Sequence, residues 1–418
     1  FSRYDTPAGQ SCAYGLMLSS ANSPIVCFLF GEPQLPMNQS FRRAAVGIPG
    51  FCTFLILYAP QSLLPTLTQE FGATPRDISL TMTATAFAIA ISAPFAGAMA
   101  DMLGRKRIIV AAMLLLTIPT VMIALSSSLH ALVFWRFMQG LVLPPIFTVV
   151  VAYIGEEWPP AEATGVTGLY MSATSIGGFC GRFFSGVLAD TVGWRNGFIV
   201  LAAVLFVCGL AVATILPREK NFVRQEGVAA SARQMLEHLR NPRLLAIYAV
   251  GFGTLFNFVA LFTYVGFVLA APPYNLSPTL LGAIFVTYLV GAVAVLWLGR
   301  AVARLGRRTL VIGTIGVWMC GALLMLVPSL WAILAGLAIA AGCGFVTQAT
   351  STSSVALTAE SGRTAAIGLY ATFFYVGGGV GATLPGLTWN AAGWPGCVAM
   401  VIAMLFLMGN VIWFGWKR

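Results

Sequence analysis

The chain has 418 residues, of which 58% are hydrophobic and only 9% charged, with 23 Lys and Arg against 13 Asp and Glu and a net charge of +10. Soluble domains carry roughly 25% charged residues, and so sparse a charged set cannot coat a water-exposed surface of this size. A water-soluble enzyme is therefore excluded, and the positive balance belongs to membrane-facing loops rather than to nucleic-acid binding.

Residues 1–36 do not fit the pattern of the rest of the chain. Met37-Asn-Gln-Ser-Phe-Arg-Arg resembles a natural start, and Tyr14 to Phe30 is apolar but contains Pro24 and has no basic flank beyond Arg3. The segment reads as a poorly ordered or artefactual extension, with a cleaved signal peptide as the alternative.

Twelve apolar segments come next, near 44–67, 79–101, 107–126, 131–154, 163–188, 194–216, 244–270, 279–300, 309–327, 330–351, 363–386 and 393–416. Leu244 to Gly299, Thr309 to Ala359 and Thr364 to Trp416 each run for more than 50 residues without a charged side chain or histidine. At about 20 residues per crossing, each run holds two membrane helices and a tight turn. The predicted turns are Ala271 to Pro278, Val327 to Ser329 and Trp389 to Trp394.

In the first segment, Pro60 and Pro65 interrupt the backbone beside Tyr58 and Gln61, making those two side chains candidates for a polar cavity. Between the second and third stands Gly97-Ala-Met-Ala-Asp101-Met-Leu-Gly104-Arg105-Lys106-Arg107. Gly97 and Gly104 permit close helix approach and a tight turn, and Asp101 is placed to pair with Arg105 or to face another helix's N-terminus. The alternative is a basic loop that only fixes topology. The fourth carries Arg136-Phe-Met-Gln139-Gly140, where Arg136 serves either function or snorkelling.

The fifth segment holds Gly168, Gly177, Gly178, Gly181 and Gly186, spaced for backbone contact between helices, and Arg182 among them. Burying an arginine in a membrane helix costs at least about 2.5 kcal/mol. It points to a cavity-facing role, with a structural pair to Asp190 or Asp77 as the alternative. None of the acidic residues falls in mid-segment, so an anionic or neutral solute suits Arg136 and Arg182 better than a dication.

The polar stretch from Pro217 to Arg243 divides the chain, its part from Gly227 to Arg240 being either an amphipathic surface helix or a disordered loop. The domains are then 37–216, a linker 217–243 and 244–418. In the second half Asn257, Tyr264, Tyr288, Gln348, Tyr375 and Asn410 are the candidate cavity residues, each also able to serve as a helix-packing hydrogen bond. The eight cysteines form no Cys-x-x-Cys pair, and those within apolar segments read as small buried hydrophobes.

Residues 168–194 align without gaps on 368–394 with nine identities, and Leu103-Gly104-Arg105 recurs as Leu305-Gly306-Arg307. Two halves related by duplication suit a central site exposed alternately to either side. Arg42, Arg43, Arg105 to Arg107, Arg218 to Arg243, Arg300 to Arg308, Arg363, Lys417 and Arg418 all fall on one side of a twelve-helix count. Both termini are therefore predicted to be cytoplasmic in an inner membrane.

The Gly97 to Arg107 loop resembles the signature loop of the major facilitator superfamily, and Arg136 to Gly140 resembles its Arg-x-x-x-Gly motif. The glycine run of the fifth segment is similar to that of the drug/proton antiporters, although it lacks their Gly-Pro step. With Tyr153-Ile-Gly-Glu156-Glu157, it looks most like the bacterial drug- or sugar-efflux permeases. The resemblance implies an all-α fold of two pseudo-symmetric six-helix bundles, a latch setting Asp101 against the chain near Thr364, and a proton-transfer role for Arg136.

The expected activity is secondary transport of a drug, sugar or metabolite by proton-coupled efflux in a monomer contacting lipid, with uptake symport or a membrane sensor as alternatives. No cofactor is expected beyond the proton gradient. The two histidines exclude a histidine-built metal site, and none of Lys106, Lys220 and Lys417 precedes Ser or Thr, which excludes a nucleotide-binding P-loop. No embedded carboxylate pair or Ser/His arrangement points to an intramembrane enzyme.

Overall fold

The computed structural model describes residues 39–217, 219, 234–359 and 362–416, and among these all regular structure is helical. The expectations for residues 1–36 and for the linker from Gly227 to Arg233 lie outside the described residues. Twelve long segments succeed one another. α1 comprises Gln39–Tyr58, a 3-10 turn Ala59–Leu63 and Leu64–Phe71; α2 is Pro75–Leu103, α3 Arg105–Ala124, and α4 Leu129–Val142 with Pro144–Glu157. Next come α5 (Pro160–Val192), α6 (Trp194–Ile215), α7 (Pro242–Ala270), and α8, built from Pro278–Ala283, a 3-10 turn Ile284–Thr287 and Tyr288–Leu296. After the short helix Leu298–Leu305, the series ends with α9 (Arg307–Leu324), α10 (Leu330–Thr358), α11 (Arg363–Thr383) and α12 (Pro385–Gly415).

Eleven of these segments combine the length and apolarity needed to cross a bilayer. The other, α5, is long enough at 33 residues, but its glycines, hydroxyl side chains and Arg182 dilute its apolarity. A helix whose contacts are mainly protein has less need of a greasy surface. The ends are set by local chemistry: Thr74, Ser128, Asn241 and Ser277 accept hydrogen bonds from the backbone N–H groups that open α2, α4, α7 and α8. The turn expected at Trp389 to Trp394 is a break within Pro385–Gly415 at Gly393, whose φ is 60°. Its repeat partner Gly193, with φ 83°, separates α5 from α6.

The duplication is visible in packing. A methyl group at Gly177 would strike the Phe51 carbonyl and one at Gly181 the Leu55 carbonyl, so α5 lies directly on the backbone of α1. Gly377 and Gly381 meet the carbonyls of Phe252 and Phe256 in the same way, placing α11 on α7. The Tyr170 ring fills the space over Gly50, and Tyr370 does so over Gly251. Within the first bundle α2 also packs on α4 and α3 on α6; within the second, α9 packs on α10 and α12. Large apolar side chains such as Phe206, Leu296, Phe406 and Phe414 face outward, as a lipid solvent requires. Cys320 shares that exposed environment, while Cys52, Cys343 and Cys397 are buried as expected of small hydrophobes.

The bundles meet along two seams, α2 against α11 and α5 against α8. In the first seam Thr83 Oγ1 donates to the Gly379 carbonyl at 2.8 Å and contacts the Thr383 hydroxyl, and Thr372 Oγ1 donates to the Ala90 carbonyl at 3.2 Å. In the second, Gly186 lies against the Pro278 carbonyl, Gly282 against the Arg182 carbonyl, and the Thr279 N–H donates to Asp190 Oδ2 at 2.9 Å. One end of the molecule gathers the basic loops. There Arg43 pairs with Glu162, Arg105 with Glu156, and Arg42 stacks on Trp158. At the other end Arg195 pairs with Glu70 and donates to the Ser126 carbonyl.

Candidate functional site: a buried arginine between the bundles

Pro60 and Pro65 lack the N–H that would continue the α-helical ladder, and α1 narrows to a 3-10 turn at Ala59–Leu63, every residue of which is buried. The interruption leaves polar groups to be satisfied from the side. The Ala59 carbonyl accepts from Ser185 Oγ at 2.6 Å, and Ser62 Oγ donates to the Arg182 carbonyl at 2.7 Å. α1 and α5 are thereby stitched together at the level of Arg182.

Arg182 is 1% exposed. Its Nε donates to Gln61 Oε1 at 2.8 Å and its Nη1 to the Gly178 carbonyl at 2.8 Å. The guanidinium carbon stands 3.8 Å from the centroid of Tyr58, 4.3 Å from Phe285 and 4.9 Å from Tyr288. Tyr58 belongs to the first bundle and the other two rings to the second. Gln61 completes the bridge by donating from Nε2 to Thr263 Oγ1 on α7 at 3.3 Å. The aromatic lining continues through Phe54 and Phe147 to Tyr375, again crossing from one bundle to the other.

Among the described residues Arg182 forms no ion pair. The alternative pairing with Asp190 or Asp77 is not what the structure contains, because Asp190 binds the Thr279 N–H and Asp77 bonds Thr74 at the start of α2. Ring quadrupoles and neutral oxygens stabilise the guanidinium, yet its net charge stays uncancelled in a low-dielectric setting. The site is closed on the side away from the basic loops by the α5–α8 contacts. Towards the basic end α5 exposes Gly168, Ser172 and Ser175. Small polar residues exposed at that depth line water more readily than lipid.

Arg136 behaves differently from the expectation of a cavity or snorkelling residue. It is 0% exposed and enclosed by α1 to α4, with Nη2 donating to the Leu57 carbonyl at 3.0 Å, Nη1 to Gln139 Oε1 at 2.6 Å and Nε to the Thr81 carbonyl at 3.4 Å. Gln139 Nε2 passes the chain of bonds to Thr120 Oγ1 on α3 at 2.9 Å. These two side chains rivet the first bundle rather than line the seam.

Asn257 is likewise interior to its bundle, its Nδ2 donating to Met408 Sδ on α12 at 3.3 Å. Gln348 is half-buried on α10, Asn410 donates to its own helix at Phe406, and Tyr264 donates from its hydroxyl to the Ala382 carbonyl. Gly178 faces Tyr58 and Arg182, and Gly186 packs across the seam, whereas no described atom lies within 4 Å of where a methyl group on Gly168 or Gly97 would go. Phe285, Phe147, Thr263 and Ser185 belong to the centre without being among the sequence candidates; only Ser185, one helical turn from Arg182, carries a readable signal.

At the basic end Gly104 adopts φ 92°, which favours glycine, and turns α2 into α3. The Glu219 carboxylate receives the N–H groups of Arg105 at 3.0 Å and Lys106 at 3.2 Å, and the Arg105 guanidinium grips Glu156 through two nitrogens. Arg107 is exposed. The described partners of this loop thus lie on α4 and just after α6. The side chains of Asp101 and Thr364, on which the expected latch rests, lie outside the described ones. Capping of α3 by Glu219 is worth about 1 kcal/mol, so Glu219→Ala is expected to lower the thermal melting point of the purified protein by a few degrees.

Two six-helix bundles meeting at a buried polar centre define a membrane carrier. Residues 46–272 and 250–418 match the family model of the Major Facilitator Superfamily. The chain is 32% identical over 383 residues to the inner membrane transport protein YnfM of Escherichia coli, covering 90% of each. It is 31% identical to the MFS-type transporter YybF of Bacillus subtilis, over 86% of this chain and 89% of that one. A multidrug resistance protein, MdtG of Proteus mirabilis, is 30% identical over 188 residues, 44% of this chain and 46% of MdtG. A mutant of the nucleoside transporter NupG superposes with a TM-score of 0.75 at 14% identity, over 90% of this chain and 100% of the other. The chain belongs to the major facilitator superfamily. It is a multi-pass inner-membrane transporter of a small-molecule substrate, not an enzyme.

Proposed function

We propose that the protein expels a small anionic or neutral solute by alternating access about Arg182, driven by the proton gradient. One observation carries the reading: a guanidinium buried where the two bundles meet, bonded to Gln61 of the first, stacked on Phe285 and Tyr288 of the second, and lacking a carboxylate counter-ion among the described residues. Such a centre favours an anion or a hydrogen-bonding neutral molecule, whether drug, sugar or metabolite, and disfavours a dication. The partial likeness to a multidrug resistance protein supports export. Short basic loops remain cytoplasmic, which supports cytoplasmic termini and an inward-open state. A path contained within one chain supports a monomer.

Proton coupling has no mid-helix carboxylate to use among the described residues. It would rest on Asp77, Glu70 or Asp101 at helix ends, or on water held at Arg182. Purified protein in sealed vesicles is expected to accumulate or release tracers from an anion-weighted solute panel when a pH gradient is imposed. Flux indifferent to the gradient overturns the coupling. Movement of solute and protons in the same direction replaces export with symport.

A further inference from the structure

At the basic end of the second bundle a cavity of about 700 Å³ lies between the starts of α7 and α9 and the ends of α10 and α12. Its wall carries Arg243, Arg307 and Arg308 and, among the described residues, no acidic side chain. Trp416 also lines it, and the buried indole Nε1 of that residue has no acceptor among the described residues. Arg308 is held in place, donating from Nη2 to the Trp413 carbonyl at 2.7 Å and stacking on the Trp413 ring. Arg243 and Arg307 are exposed.

The internal repeat says what such a place accommodates. Gly306 and Arg307 open α9 as Gly104 and Arg105 open α3, both after a glycine of positive φ. In the first bundle the free N–H groups of that helix start receive the Glu219 carboxylate, and the arginine grips Glu156. In the second the same start looks into the cavity, to which the described end of α10 brings Ser354, Leu357 and Thr358. The position filled by an anion in one half is thus lined, among the described residues, by basic and hydroxyl side chains without a carboxylate in the other.

A second cavity of about 560 Å³, almost wholly apolar, runs between α8, α9 and α10. It shares Leu305 and Thr309 with the first, so the basic chamber adjoins a lipid-facing groove flanked by Val290, Trp297 and Val317. Charge and grease in sequence match an amphiphile. We propose that this composite cavity binds one anionic phospholipid from the leaflet on the basic side, its phosphate held by Arg243, Arg307 and the start of α9 and an acyl chain laid along the groove.

The site is tested by native mass spectrometry of detergent-purified full chain offered phosphatidylglycerol or phosphatidylcholine of identical acyl composition. Wild-type protein should retain phosphatidylglycerol about tenfold better, and Arg243→Gln/Arg307→Gln should reduce that preference to about threefold or less. Phosphatidylglycerol should also raise the wild-type melting point more than phosphatidylcholine does, a readout independent of any variant. Inorganic phosphate or glycerol 3-phosphate at millimolar concentration should not displace the lipid. Equal retention of the two lipids, undiminished preference in a folded double variant, or full displacement by the soluble phosphates overturns the proposal.

Discussion

Arg182→Met is expected to reduce transport at least tenfold while leaving the melting point of the purified protein unchanged or raised. The two halves of that expectation have separate physical causes. A buried arginine is held against a desolvation penalty of at least about 2.5 kcal/mol, which offsets the roughly 1–3 kcal/mol lost with its hydrogen bonds when an apolar side chain of similar volume takes its place. Here the compensation consists of Gln61 Oε1, the Gly178 carbonyl and three rings, with no carboxylate left stranded on removal. Folding therefore has little to lose. Transport loses the charge at the only described point where both bundles engage one guanidinium. Arg182→Lys should rescue poorly, since an ammonium cannot present a planar fork to two acceptors and stack on Tyr58 at the same time. Flux into vesicles and differential scanning fluorimetry on the same preparations check both parts. A variant that transports normally but melts lower would make Arg182 a structural rivet.

Arg136 shows how much of this could be read from the chain. Both arginines interrupt apolar helices, and both stand out because such a group is expensive in a bilayer. Which one faces the seam depends on the rotation of α4 and α5 about their axes. That rotation is set by packing from partners distant in sequence: Leu57 and Thr81 around Arg136, Phe285 and Tyr288 around Arg182. The bilayer left a stronger trace. Charge-free runs, basic loops and the Gly168/Gly368 register fixed the number of helices, their grouping into halves and the fold class. The break in α1 was legible from Pro60 and Pro65, and with it Tyr58 and Gln61 as members of the centre. Asn257 and Gln348 were not separable from Tyr375, because a lone polar residue on an apolar helix has no periodic partner to report its direction. Phe285 and Thr263 were silent for the same reason.

Gly181→Val should be the most disruptive single substitution in the first bundle, and Gly381→Val its equal in the second. Overpacking a core costs about 1–3 kcal/mol when neighbouring side chains can give way. Here the first atom met is the backbone carbonyl of Leu55 or of Phe256, which cannot rotate aside without breaking the α1 or α7 ladder. We expect a loss above about 3 kcal/mol in each case, seen as aggregated rather than monodisperse protein on size-exclusion chromatography. Gly168→Ala supplies the contrast. No described atom lies within 4 Å of its added methyl, and alanine in a helix gains up to about 1 kcal/mol over glycine. That variant should remain monodisperse and melt no lower than the parent. If Gly181→Val stayed well folded while Gly168→Ala did not, the backbone contact between α1 and α5, and with it the cradle that holds Arg182 against Gln61, would be wrongly placed.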